Sequence, residues 1–212
     1  MVITGISSPA FASFACASVY CYHRMDWRMR NCRIAEPYSG DGRFMEFTNV
    51  IGFQGKFYAI SRQGSLALIE DEGDSGIFDI TALGRNRAVP CCKVSRSFRE
   101  YLMVYKGVIY LVFLLSRASI NVVDDVEVFR LDTSRLLWEK VDCLTGDTIF
   151  FVEDRCCVGV SANSLGLDCS KRRRGNCVYF THGRADTWFV YDMKTNCISI
   201  TSGPESDCPV SD

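Results

Sequence analysis

Histidine is almost missing: His23 and His182 are the only two in 212 residues. Neither has a nucleophile and an orienting carboxylate near it in sequence, so the chain advertises no catalytic triad, and both histidines read as solvated turn residues. None of the twelve cysteines forms a C-x-x-C, which removes the usual zinc-knuckle and thioredoxin spacings. Four fall as adjacent pairs, Cys91-Cys92 and Cys156-Cys157, and several others, Cys177 and Cys197 among them, fall inside strand-like runs. Adjacent strand residues point to opposite faces, so such pairs suit core thiols better than chelation. Reduced, structural cysteines are the expectation. Excess charge is missing too: 24 basic residues face 25 acidic ones, which leaves no global field to draw the protein to nucleic acid or an anionic membrane. No uncharged apolar run reaches the roughly 18 residues a spanning helix needs. Asp124-Asp125 with Glu127, and Glu70 to Asp74, lack the ligand alternation and closing Glu of a calcium loop. No catalytic residue, metal or cofactor is expected.

Long stretches of 3.6-residue periodicity are absent as well, while aromatics make up 12% of the chain and glycine recurs. Together these predict an all-β fold. One unit is written twice, as Val126 to Trp138 and as Thr187 to Ile198. In each, an aromatic-rich run closes on an aspartate, Asp132 or Asp192, crosses a polar turn and resumes with a large apolar residue six positions on. The carboxylate is suited to bond backbone N–H groups two residues later and tighten the turn. Gln54-Gly55 and Lys106-Gly107 predict two further hairpin turns, and Gly175-Asn176 is a third echo. Phe11 to Tyr22, Trp27 to Ile34 and Ser65 to Glu70 are predicted strands. The first twenty residues lack the positive start of a secretory signal and read better as a strand.

The three glycines are spaced 52 residues apart (55 to 107) and 68 apart (107 to 175). Periods of this size with several short strands per unit mark propeller blades, because one small sheet must stack on its neighbours. A β-sandwich does not predict the same glycine, aromatic and aspartate order recurring. Some thirteen to fifteen strands would make three to four blades of four antiparallel strands, hence a partial or open β-propeller. The domain is expected over residues 26–202, between an N-terminal segment at 1–25 and a polar tail at 203–212.

The segments Tyr101 to Val112, Val126 to Val141, Asp147 to Asn163 and Gly175 to Asp192 follow one another in an order that resembles a large plant family, the F-box-associated domain of unknown function 295, with its KIB-type, kelch-like β-propeller. The resemblance runs from about Asp26 onward. It implies a non-enzymatic interaction platform inside the cell, nuclear or cytoplasmic, that recognises a protein substrate. In similar proteins an F-box segment ahead of the propeller docks on the Skp1-type adaptor of a cullin ubiquitin ligase. Nothing before Trp27 has the Leu-Pro start and amphipathic helices of an F-box, so an adaptor contact requires such a segment upstream.

Partner-binding candidates are the loops. Lys171, Arg172, Arg173 and Arg174 form the one sharp charge cluster, suited to an acidic partner or an import receptor. The predicted surface loops are Glu36 to Arg43, Asp71 to Gly76, Arg85 to Arg87, Ser116 to Asp125 and Leu165 to Arg174, the last of which carries that cluster. Two different readings stand beside the platform: a small propeller hydrolase or lyase using His182 or His23, and a degenerate fragment without retained function.

Overall fold

The computed structural model describes residues 2–7, 14–21, 26–34, 47–61, 66–71, 78–83, 97–153, 156–165, 175–182 and 187–201. It gives the backbone alone up to 48 and at 61, 71, 78–83, 156 and 165. The described residues form sixteen strands and a single 3₁₀ turn, so the chain is all-β. Two compact units divide it: Met1–Val89 with Arg130–Glu139, and Pro90–Phe129 with Lys140–Asp212.

The first unit contains a seven-stranded sheet. Its strands are β1 (Val2–Ser7), β2 (Phe14–Cys21), β3 (Asp26–Ile34), β4 (Phe47–Phe53), β5 (Lys56–Ser61), β6 (Leu66–Asp71) and β7 (Phe78–Leu83). Their spatial order is β1-β2-β3-β7-β6-β5-β4. Two antiparallel groups, β1 to β3 and β4 to β7, join through a parallel pairing of β3 with β7. Tyr58, Ala59 and Ile60 are buried in succession, so β5 is covered on both faces. The predicted turn at Gln54-Gly55 is present, with both residues at positive φ (50° and 76°), the conformation of a type I′ hairpin turn. Lys106-Gly107 repeats it at 48° and 74°.

Two further sheets supply the second unit, except that residues 130–139, the end of β10 and most of β11, are grouped with the first. A four-stranded sheet takes the order β11-β10-β9-β8, from β8 (Ser97–Tyr105), β9 (Val108–Ser116), β10 (Asp125–Asp132) and β11 (Leu137–Lys140). A five-stranded sheet takes the order β13-β12-β14-β15-β16, from β12 (Thr148–Glu153), β13 (Cys156–Ser161), β14 (Cys177–Thr181), β15 (Trp188–Asp192) and β16 (Cys197–Thr201). Tyr101, Met103, Val112, Leu114, Val126 and Val128 from the first of these pack with Phe150, Val152, Val178, Phe180 and Tyr191 from the second in one core. Alternation supplies this face: Tyr101 and Met103 stand opposite Val112 and Tyr110, while Leu102 and Val104 turn the other way.

Among the described residues none of the three sheets closes on itself, as expected for a partial, open propeller. One sheet has the four strands expected per blade, while the others have seven and five strands and each includes one parallel pairing. The reason is local in the last sheet. After the β12–β13 hairpin the chain returns on the far side of β12, where β14 runs parallel to it. Gly175-Asn176 is therefore not a third hairpin turn but the entry to β14. Asn176 takes positive φ (63°), and a Cβ on Gly175 would lie 2.5 Å from Gly146 O. The chain passes too closely there for any other residue.

Candidate functional site

The twice-written unit holds the scaffold in register. Asp132 Oδ1 accepts the Ser134 N–H at 2.9 Å, the Arg135 N–H at 3.1 Å and the Ser134 hydroxyl at 2.6 Å. Asp192 Oδ1 accepts the Lys194 and Thr195 N–H groups at 2.8 and 3.3 Å. Each turn ends on a left-handed residue, Leu136 (φ 51°) or Asn196 (φ 55°). Both aspartates are committed to backbone, in the role the sequence assigns them.

Between β9 and β10, residues 117–124 form a loop closed by carboxylates. Asp124 Oδ2 accepts the Arg117 N–H at 2.5 Å and the Ala118 N–H at 3.0 Å, while Asp124 N–H donates to Leu115 O at 2.8 Å. Hydrogen bonds from the Ala118 and Arg117 amides hold the Asp124 carboxyl below its usual pKa. Arg117 Nη2 pairs with Asp125 Oδ2. At the tip, Val122 N–H donates to Ser119 O at 3.1 Å, and Asn121 N–H to Ser119 Oγ at 3.3 Å. This bonding orders the loop internally and leaves two aliphatic side chains in solvent, Ile120 at 64% exposure and Val122 at 51%. Val123, the next residue, turns inward and is buried.

The same Asp125 reaches the second sheet. Tyr191 Oη lies 3.3 Å from Asp125 Oδ1 and 3.0 Å from Asn196 Oδ1. Around this contact opens a groove of about 700 Å³, lined by Asp125, Glu127, Lys140, Asp142, Tyr191 and Asn196 among others. Glu127 is buried to 4% exposure and Lys140 Nζ pairs with its Oε1 at 2.7 Å. Asn176 Oδ1 accepts the Leu144 N–H at 2.5 Å and so fastens the segment after β11 to the start of β14.

The carboxylates of Asp124, Asp125 and Glu127 are engaged by the protein's own groups. Their oxygens serve backbone amides, Arg117 with Tyr191, and Lys140 respectively, and no cluster of three metal-ligating side chains exists among the described residues. His182 is half-buried rather than solvated, and its Nδ1 stands 2.7 Å from Arg99 Nη2, which also donates to Thr181 O at 3.3 Å. An arginine as the histidine's partner orients the ring without supplying the carboxylate a general base needs. Cys143, Cys157, Cys177 and Cys197 are thiols outside any disulfide, and Cys157 Sγ rests 3.0 Å from Met103 Sδ beside the core. Lys171 to Arg174 lie outside the described residues. So do His23, Cys91-Cys92, Glu36 to Arg43 and Arg85 to Arg87, along with Asp71 to Gly76 except Asp71 and Leu165 to Arg174 except Leu165.

Sequence reasoning placed the Ser116 to Asp125 loop among the contact candidates but not its exposed aliphatic pair. Ile120-Asn121-Val122, two aliphatic residues set two apart in a turn, is the signal available. The Tyr191–Asp125 and Arg99–His182 contacts span 66 and 83 residues, and strand order has to be known before such pairs can be found.

No curated protein and no solved structure matches the chain. A family model does: the KIB1-4 beta-propeller matches residues 1–194, nearly the whole sequence. The chain belongs to the KIB1-4 beta-propeller family.

Proposed function

We propose that the protein is a non-enzymatic interaction domain whose contact surface centres on the β9–β10 loop. The observation that carries this reading is the pairing of internal rigidity with outward apolar display. The loop's carboxylates are consumed by its own amides and by Arg117, and Ile120 and Val122 project unpaired into water. Preordered apolar side chains bind with little entropic cost, and contact loops on rigid sheets are where such surfaces commonly lie. A catalytic role has less support, because the one described histidine is held by Arg99 and the family match is to a propeller.

The resemblance to F-box-associated propellers supports a finer reading, substrate recognition for a cullin ubiquitin ligase. In that arrangement the propeller holds the substrate, and an F-box segment ahead of it holds a Skp1-type adaptor. Affinity capture with and without sequence upstream of Met1 tests this part. Recovery of the adaptor only with the longer form supports it, and its absence from both overturns it.

The loop assignment is tested separately. A photo-crosslinking residue at Asn121 should capture a partner that a probe at Ser134 does not, and the purified pair should associate. Ile120→Asp with Val122→Asp should abolish that association while leaving the melting temperature within a few degrees. Unchanged binding by the double variant would overturn the loop as the contact surface.

A further inference from the structure

The outer edge of the five-stranded sheet is β16, Cys197–Thr201, and among the described residues no strand pairs with it on the side away from β15. Natural proteins blunt such edges with charge, proline, a bulge or a covering element. None of the first three is present here. The strand reads Cys-Ile-Ser-Ile-Thr, and its register with β15 is continuous over five pairs, from Asp192↔Cys197 to Trp188↔Thr201. Cys197, Ser199 and Ile200 are exposed. Ile200 shows 74% of its surface although it shares a face with Ile198, which packs against the core.

We propose that β16 is an interface between two copies of this chain, joined edge to edge and antiparallel about Ser199. The strand is self-complementary in that register, because Ile-Ser-Ile reads the same in both directions. A two-fold axis through Ser199 sets Ile198 of one copy opposite Ile200 of the other, twice. With the hairpin closed at Asp192–Cys197, antiparallel alternation turns the N–H and C=O of Ile198 and Ile200 away from β15. These are the groups that such a pairing bonds. The exposed Ile200 gains a cross-strand apolar neighbour on the core face, and two five-stranded sheets become one continuous ten-stranded sheet. The contact is isologous and closes on itself as a dimer. A five-residue strand pair is short, so association is weak and concentration-dependent.

The test is sedimentation velocity of the full chain from micromolar to millimolar concentration, with a reversible monomer–dimer equilibrium expected. Ile200→Lys should shift the midpoint at least tenfold upward without lowering the melting temperature. Site-directed crosslinking fixes the register. In a Cys197→Ser background, Ser199→Cys should form an intermolecular disulfide with added oxidant, since directly opposed residues of a non-bonded pair lie about 4.5 Å apart. Thr201→Cys in the same background should not. A monomer throughout the series overturns the proposal. So does crosslinking at 201 in place of 199, or growth into open-ended polymers, which β16 would form by pairing with the β13 edge of another copy.

Discussion

Tyr191 Oη sits 3.3 Å from Asp125 Oδ1 across 66 residues of chain, so one phenol links β15 to the strand that starts at the β9–β10 loop. The other Asp125 oxygen faces Arg117 at the loop's base. The exposed Ile120–Val122 tip is thereby tied to the second sheet through a single carboxylate.

This tie predicts a dependence on high pH. Burial, and after it the nearby Asp125 carboxylate, pushes the Tyr191 phenol from 10.0 up to about 12. A folded-state value above the unfolded one means the neutral phenol is favoured by folding. Its contribution is complete below pH 10 and disappears as pH rises through about 12. Urea unfolding between pH 9 and 12 should show that decline. Tyr191→Phe should flatten it, at a cost of about 1 kcal/mol near neutrality for one lost hydrogen bond. An identical alkaline decline in the variant would assign the effect to other groups.

Acid should act on the β10–β11 turn. The Ser134 hydroxyl first, then the Arg135 and Ser134 amides, hold the Asp132 carboxyl below its usual value of 3.8. A lowered folded-state pKa contributes stability that is present above 3.8 and fades as pH falls below it. Asp132→Ala should therefore lower the urea midpoint at neutral pH, and wild type and variant should converge in strong acid. Binding through the β9–β10 loop should be unaffected.

The paired turns differ at their last position, and the difference predicts a stabilising change. Leu136 adopts φ 51° where the matching turn has Asn196 at 55°. Asparagine visits the left-handed region readily, while other L-residues with a Cβ are disfavoured there by roughly 1 kcal/mol or more. Leu136→Asn should raise stability by about 0.5 to 1 kcal/mol, less whatever apolar contact the half-buried leucine makes. A fall in the thermal midpoint would show that this contact outweighs the backbone strain.

Most strands were legible because their signals are local. The Gln54-Gly55 and Lys106-Gly107 turns and the Asp132 and Asp192 loops each depend on residues within a few positions, and each occurs where the pattern put it. Gly175-Asn176 carries nearly the same composition and behaves differently, because the outcome there is decided by the parallel pairing of β14 with β12. The seven-stranded sheet was not legible for the same reason: the β3–β7 pairing merges two groups that look separate along the chain. In the candidate site the loop could be named but its geometry could not. Only the fold brings Asp125 to Tyr191, and His182 to an arginine instead of to water.

Gly159 gives a test of how closely β13 approaches β8. A Cβ built there would lie 2.6 Å from Cδ2 and Cγ of Tyr105 and 2.9 Å from Cε of Met103, closer than carbon atoms pack. The Tyr105 ring cannot easily retreat, since it meets Phe150 edge-on at 6.0 Å with the rings 83° apart. Gly→Ala at a relaxed strand position stabilises by about 0.4 to 1 kcal/mol through the unfolded chain, while overpacking a filled site costs roughly 1 to 3 kcal/mol. The contact term is the larger, so Gly159→Ala should destabilise the protein in urea unfolding. If Tyr105 is the obstacle, the same substitution in a Tyr105→Ala background should lose most of that penalty. An equal cost in both backgrounds would move the conflict to Met103 or to the backbone of β13.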